Sequence, residues 1–235
     1  MRLGKRLRAL FEAVPDGYDD LWDLGCDHGR LGLALLEAGR GQRIHFVDRL
    51  PWLIEGVRER LAQHPPQHWS ARAQDARDIV LNGSASELVL LAGVGADQTL
   101  AILNAVSERH PDIIPEFLIA PSGPVFRLRH ALRESGFRLL QEDFVMERRR
   151  GYQLLRVRRA AEGTQELSLT GRFWQPGDPA HHDYLEQQLG HYRRQINSPD
   201  KRPLAEAIVN ELNECRDWMT GAQPLSSGSG LAHET

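Results

Sequence analysis

Between Asp23 and Gly29 the chain reads Asp-Leu-Gly-Cys-Asp-His-Gly, which sets two carboxylates, a thiol and an imidazole into a stretch punctuated by glycines. Gly25 and Gly29 let the backbone turn sharply and bring its N–H groups against a ligand. The run is not the G-x-G-x-x-G dinucleotide fingerprint, because Asp27 stands where the second glycine belongs. A carboxylate there repels a pyrophosphate. It suits a cofactor with a cationic amine or sulfonium, which favours S-adenosylmethionine over NAD. Two more acids recur at matching places. Asp48 ends an apolar run, where it can accept from both ribose hydroxyls, and Asp75 in Gln74-Asp75-Ala76 can accept from an adenine amino group. Each acid alone reads equally well as a solvated loop carboxylate, and for Asp75 alone that is the better reading. Three of them at three successive strand ends form a constellation.

The elements that must position these acids follow from hydrophobic periodicity. Leu3, Leu7, Leu10, Phe11 and Val14 have helical spacing, and Pro15-Asp16-Gly17 stops that helix. Strands are expected at Leu21–Leu24, Arg43–Val47, His68–Ala73, Glu87–Ala92 and Ile113–Ala120. Helices at Leu31–Glu37, Trp52–Gln63, Asp97–Glu108 and Val125–Ser135 alternate with them. Phe137–Glu147 and Tyr152–Arg158 are close enough to form an antiparallel hairpin. The alternation predicts a doubly wound α/β sheet of the class I methyltransferase type, Rossmann-like with a terminal antiparallel hairpin.

A chain of 235 residues exceeds one domain of about 150 residues. Residues 1–160 are expected to form the cofactor-binding domain with its basic N-terminal helix. Beyond them, Leu185, Leu189, Tyr192 and Ile196, then Leu204, Ile208, Leu212, Cys215 and Met219, make two seams of the coiled-coil type. They predict a C-terminal α-helical hairpin over 161–220, turned at Asn197-Ser198-Pro199-Asp200, and the polar stretch 221–235 reads as a disordered tail. Composition excludes a membrane span. Cys26 and Cys215, the only cysteines, exclude a disulfide framework and a cysteine-only zinc site, so no metal is expected and a cytoplasmic setting fits.

The net charge of −3 hides an asymmetry. Residues 1–159 sum to +2 and 160–235 to −5, and 127–159 alone hold ten Arg against four acids. Local patches decide binding to phosphate backbones. The expected RNA-binding set is Arg6, Arg127, Arg129, Arg133, Arg149 and Arg150, with Arg129 and Arg133 on one helical face. Singly, each reads as a solvated charge.

Asp23-Leu24-Gly25-Cys26-Asp27-His28-Gly29, followed by Leu31, resembles the D-I-G-(S/C)-D-H-(A/G)-Y-L signature of the bacterial tRNA (adenine(22)-N1)-methyltransferases. Leu91-Ala92-Gly93-Val94-Gly95-Ala96 through Ile102-Leu103 is similar to that family's A-G-M-G-G…I-L segment. Pro121, Leu128-Arg129, Leu132, Gly136-Phe137 and Tyr152-Gln153 follow its later pattern. Arg30, Val94, Ala96 and Ser122 depart from it, which marks a divergent branch.

The resemblance implies S-adenosylmethionine as cofactor, held by Asp23, Gly25, Cys26, Asp27, Gly29, Asp48, Asp75, Ala76, Ala92 and Gly93. It implies tRNA as partner and methyl transfer to adenine N1, by a monomer or weak homodimer. Asp27 and His28 are the catalytic candidates, nearest the expected methyl group. Two other readings fit the same residues: a methyltransferase of a small molecule or protein, and a cofactor- or RNA-binding protein without turnover.

Overall fold

Strand β1 (Asp20–Leu24) is buried at every position, and parallel neighbours flank it on both sides. The computed structural model describes residues 3–84, 86–159 and 164–221. The other strands are β2 (Arg43–Asp48), β3 (Trp69–Ala73), β4 (Glu87–Gly95), β5 (Glu116–Ser122), β6 (Phe137–Glu147) and β7 (Arg150–Arg159). The sheet order is β3-β2-β1-β4-β5-β7-β6. Among the described strands β7 alone runs opposite to the other six, antiparallel to β5 on one side and to β6 on the other. Five parallel strands therefore end at one edge, and β7 begins at that same edge. Leu, Val, Ile and Phe fill the strands that are covered on both faces, as parallel sheets require.

Helices α1 (Lys5–Ala13), α2 (Arg30–Glu37) and α3 (Pro51–Leu61) cover one face, with Leu10, Leu35, Val57 and Leu61 buried against Leu21, Ile44 and Phe46. Helices α4 (Ala96–Arg109) and α5 (Val125–Glu134) cover the other. The expected fifth strand begins at Glu116 rather than Ile113. Pro115 lacks the N–H a ladder needs, and Ile114 before it is exposed. The fourth strand runs three residues past its expected end, to Gly95, with an irregular register after Ala92.

Helices α6 (Pro179–Gln195) and α7 (Arg202–Met219) bury the expected seams, Leu185, Leu189 and Tyr192 against Ile208, Leu212, Cys215 and Met219. These residues belong to the same apolar cluster as α4, α5 and the sheet face. Phe126 of α5 stacks on Tyr192 at 5.7 Å between ring centres and meets Tyr184 edge-on. The change of pattern near residue 160 thus marks a change of architecture without a break in packing. The expectation of a disordered tail falls on 222–235, outside the described residues. Among the described residues no helix is long and apolar enough to cross a membrane.

One charged side chain ties the layers together. Arg129 of α5 has no solvent exposure. Its guanidinium donates to Glu142 Oε2 at 2.8 Å, to the Ser168 carbonyl at 2.7 Å and to Gln153 Oε1 at 3.2 Å. Glu211 of α7 accepts from the Thr170 backbone N–H at 2.8 Å in the same loop. The placement of Arg129 in the RNA-binding set is therefore corrected. Helical spacing puts Arg129 and Arg133 near each other but cannot say which way the shared face points. Removing one partner of a buried ion pair leaves a stranded charge or its acceptors unpaired. Arg129→Ala should lower the unfolding free energy by about 3–5 kcal/mol in urea denaturation. A loss below about 0.5 kcal/mol, typical of a surface site, contradicts this placement.

Candidate active site

The turn after β1 is built from left-handed backbone. Gly25, Asp27 and Gly29 have φ of 64°, 52° and 66°. Glycine adopts this region freely, whereas for Asp27 it costs about 1–2 kcal/mol. Other contacts hold the strained residue in place. The Asp27 N–H donates to Asp48 Oδ2 at 3.0 Å, and the Cys26 N–H donates to the Val47 carbonyl at 3.1 Å. The other oxygen of Asp48 accepts the Leu50 N–H at 3.0 Å, at the entry to α3. Asp48 therefore ties β1 to β2, and each of its oxygens keeps a further lone pair.

Asp23 lies beneath the turn, 3% exposed, and accepts the Gly32 N–H at 3.0 Å in the first turn of α2. Gly32 is required for this approach. A Cβ there would lie 2.4 Å from the Phe46 ring and 2.9 Å from the Asp23 carboxylate. Burial, with smaller contributions from the charges on Asp48 and Asp27, pushes the Asp23 carboxyl up to about 7, against the pull of the Gly32 N–H. Burial and the charges of Asp23 and Asp48 push the Cys26 thiol well above its usual range, so it stays a neutral thiol rather than a nucleophile. Asp27 and His28 instead face solvent, at 71% and 59% side-chain exposure, with 3.7 Å between Oδ1 and Nε2.

Gly25, Asp48, Arg49, Gln74, Asp75, Ala76, Val94, Gln98 and Ile102 line a cleft of about 540 Å³, counted out to its open mouth. A Cβ on Gly25 would project to 3.3 Å from the Val94 side chain, so the glycine keeps the cleft open. Asp75 is less free than expected, because both its oxygens bond Arg77, which holds its carboxyl down at about 2. Ala92 and Gly93, near the end of β4, are not among the residues that line the cleft. Arg49 and Gln98 were not anticipated. Only their places, after Asp48 and in the first turn of the helix leaving β4, could have signalled them.

The same edge carries basic residues. The β6–β7 turn is Arg148-Arg149, both with positive φ, and Arg148, Arg149 and Arg150 are exposed. Glu147, just before the turn, accepts the Arg6 N–H at 3.4 Å at the start of α1. Two basic stretches far apart in sequence are thereby joined. Arg127 is exposed at the start of α5, while Arg133, near the other end of that helix, faces Glu134 and Glu166 at 3.9 and 3.8 Å.

An open parallel sheet with an antiparallel strand inserted near one end, and a cleft at its carboxyl edge, is the architecture of a Rossmann-like methyltransferase. Residues 3–155 match the family model described as a methyltransferase domain, and the chain belongs to that family. Three solved structures share the fold. A protein of the NADB-Rossmann superfamily from Streptococcus agalactiae superposes with a TM-score of 0.74 at 19% identity, over 92% of this chain and 97% of its own. TrmK of M. capricolum, solved with S-adenosyl-homocysteine, gives 0.72 at 17% identity, over 95% and 100%. The B. subtilis M1A22 tRNA methyltransferase TrmK gives 0.67 at 17%, over 94% and 98%. No curated protein matches the chain.

The buried carboxyl sets a pH dependence. With its folded value near 7 and its unfolded value near 3.8, Asp23 holds a proton in the folded chain that the unfolded chain has already lost. Stability therefore falls as pH rises from about 4 to about 7. Asp23→Asn keeps the acceptor for Gly32 and removes the titration. Relative to the parent it should gain on the order of 4 kcal/mol between pH 4 and pH 8. Parallel stability–pH curves for the two proteins contradict the assignment.

Proposed function

We propose that the protein is an S-adenosylmethionine-dependent tRNA methyltransferase that modifies N1 of an adenine, with position 22 suggested by the family it resembles. The observation that carries this reading is the set of carboxylates around the β1 turn. Asp23, Asp27 and Asp48 lie close enough for the charges on the latter two to raise the first. Such a set repels a pyrophosphate and attracts a cation, the charge that a sulfonium and an amino group carry. The residues present fit the cofactor, with Gly25 keeping the cleft open and Asp48 retaining lone pairs for ribose hydroxyls. When bound, S-adenosylmethionine supplies an already activated methyl group.

The chain's own residues then have the tasks of alignment and charge placement. Arg77 steadies the Asp75 carboxylate beside Ala76 at the far side of the cleft. Asp27 projects into solvent two residues beyond Gly25 of the cleft, and its charge can stabilise a base that becomes cationic at N1. His28 is exposed beside Asp27, and its backbone carbonyl is held by Arg60. Adenine N1 lies on the pairing edge, so the base must leave its stack to be reached. Arg127, Arg149 and Arg150 are exposed cations available to grip flanking phosphates. The named activity of the B. subtilis neighbour, which spans nearly the whole chain, supports tRNA as the substrate.

Incubation with labelled cofactor and unmodified tRNA, followed by nucleoside mass spectrometry, should yield 1-methyladenosine. Asp27→Asn should retain the fold and transfer at least about tenfold more slowly, as expected when a placed charge is lost. Label appearing in protein or small molecules without RNA, or in no tRNA at all, refutes the proposed substrate.

A further inference from the structure

Resting on the methyltransferase reading, we infer that Arg6 is an anion receptor at the active edge. It would take a pair of ligand oxygens, either the cofactor's amino-acid carboxylate or a phosphate of the target nucleotide. Among the described residues the Arg6 guanidinium makes no hydrogen bond, and no ion pair is formed by it. Its Nε is buried without a partner. A half-buried guanidinium with its donors free is costly to maintain and has a fork that matches a carboxylate or phosphate.

Its position is fixed from three sides. The Arg6 backbone N–H is held by Glu147, and the guanidinium carbon sits 4.9 Å from the centre of the Tyr152 ring. Its Nη1 and Nη2 lie 3.1 and 3.2 Å from where a Cβ of Gly93 would be, so the absence of a side chain at 93 makes room for it. Ser122 Oγ donates to the Gly93 carbonyl at 3.0 Å and so helps fix the backbone at Gly93. Gly93 lies two residues beyond Leu91, which is paired with Leu24 at the end of β1. Adjacent strands are about 4.8 Å apart, so the guanidinium stands one strand away from the carboxylate-lined turn. A cation receptor and an anion receptor side by side complement a zwitterion or an anion reaching past one.

The test is binding by the full chain and by Arg6→Gln and Arg6→Lys. The ligands are S-adenosylmethionine, methylthioadenosine (which lacks the amino-acid group) and a tRNA transcript. If the carboxylate is the occupant, Arg6→Gln weakens S-adenosylmethionine by about tenfold or more and leaves methylthioadenosine unchanged. If a phosphate is the occupant, tRNA weakens instead and the slope of log affinity against log salt becomes shallower by about 0.7–0.9. In either case Arg6→Lys recovers part of the loss. Unchanged affinity for all three ligands overturns the inference. So does an equal loss for all three, methylthioadenosine included, since that marks a folding defect. If the parent chain methylates no tRNA but the cofactor arm depends on Arg6, the substrate reading fails and the receptor stands. If it methylates tRNA and no arm depends on Arg6, the reverse holds.

Discussion

Two carboxylates nearly shut off from water, Asp23 and Asp48, hold the turn that follows β1. Everything at the carboxyl edge depends on them. Asp48 fixes the strained Asp27 and the entry to α3, while Asp23 fixes the first turn of α2. Burying charge is unfavourable unless hydrogen bonds compensate it. Here Asp48 accepts two backbone N–H groups, whereas Asp23 accepts that of Gly32 and remains poised between its ionised and neutral forms. An ion of opposite charge above the turn relieves that tension. The site is thus prepared for a cation by the same contacts that shape it.

The hairpin end of the sheet solves a different problem. The β6–β7 hairpin carries exposed arginines at its tip, yet its strands must pack against α5, α6 and α7. Arg129, Glu142 and Gln153 join α5 to the hairpin from inside, and the loop around Thr170 passes the connection to Glu211 of α7. Gly151 lets Tyr184 of α6 press against the hairpin, since a Cβ there would fall 2.5 Å from its ring. The helical pair thereby braces the basic tip against the sheet. Glu147 performs the same service toward α1.

The sheet and its helices were legible because buried parallel strands and amphipathic helices leave strong periodic signals. Boundaries shifted by only a few residues, where Pro115 and the irregular end of β4 decide the ladder. The acids at three strand ends were legible as a constellation, and the structure brings Asp23 and Asp48 to one turn. Their roles were not. A sequence does not reveal that Asp75 spends both oxygens on Arg77, or that Asp23 is buried and accepts the Gly32 N–H. Arg129 and Arg6 show the same limit from opposite sides. Both are arginines in basic stretches. One is sealed inside and fully paired, while the other is half-buried at the active edge with no hydrogen-bond or ion-pair partner for its guanidinium among the described residues, and only tertiary contacts separate them.

The turn after β1 is an anionic cradle tuned to a positive charge. Calorimetric titration at pH 7 in buffers of differing ionisation enthalpy tests it most directly. S-adenosylmethionine carries the sulfonium charge and S-adenosylhomocysteine does not. Binding of the charged form should release up to about half a proton more than the neutral one, because a nearby cation lowers a carboxyl poised near neutrality. Equal proton release by the two ligands, or net uptake with the charged one, contradicts the account.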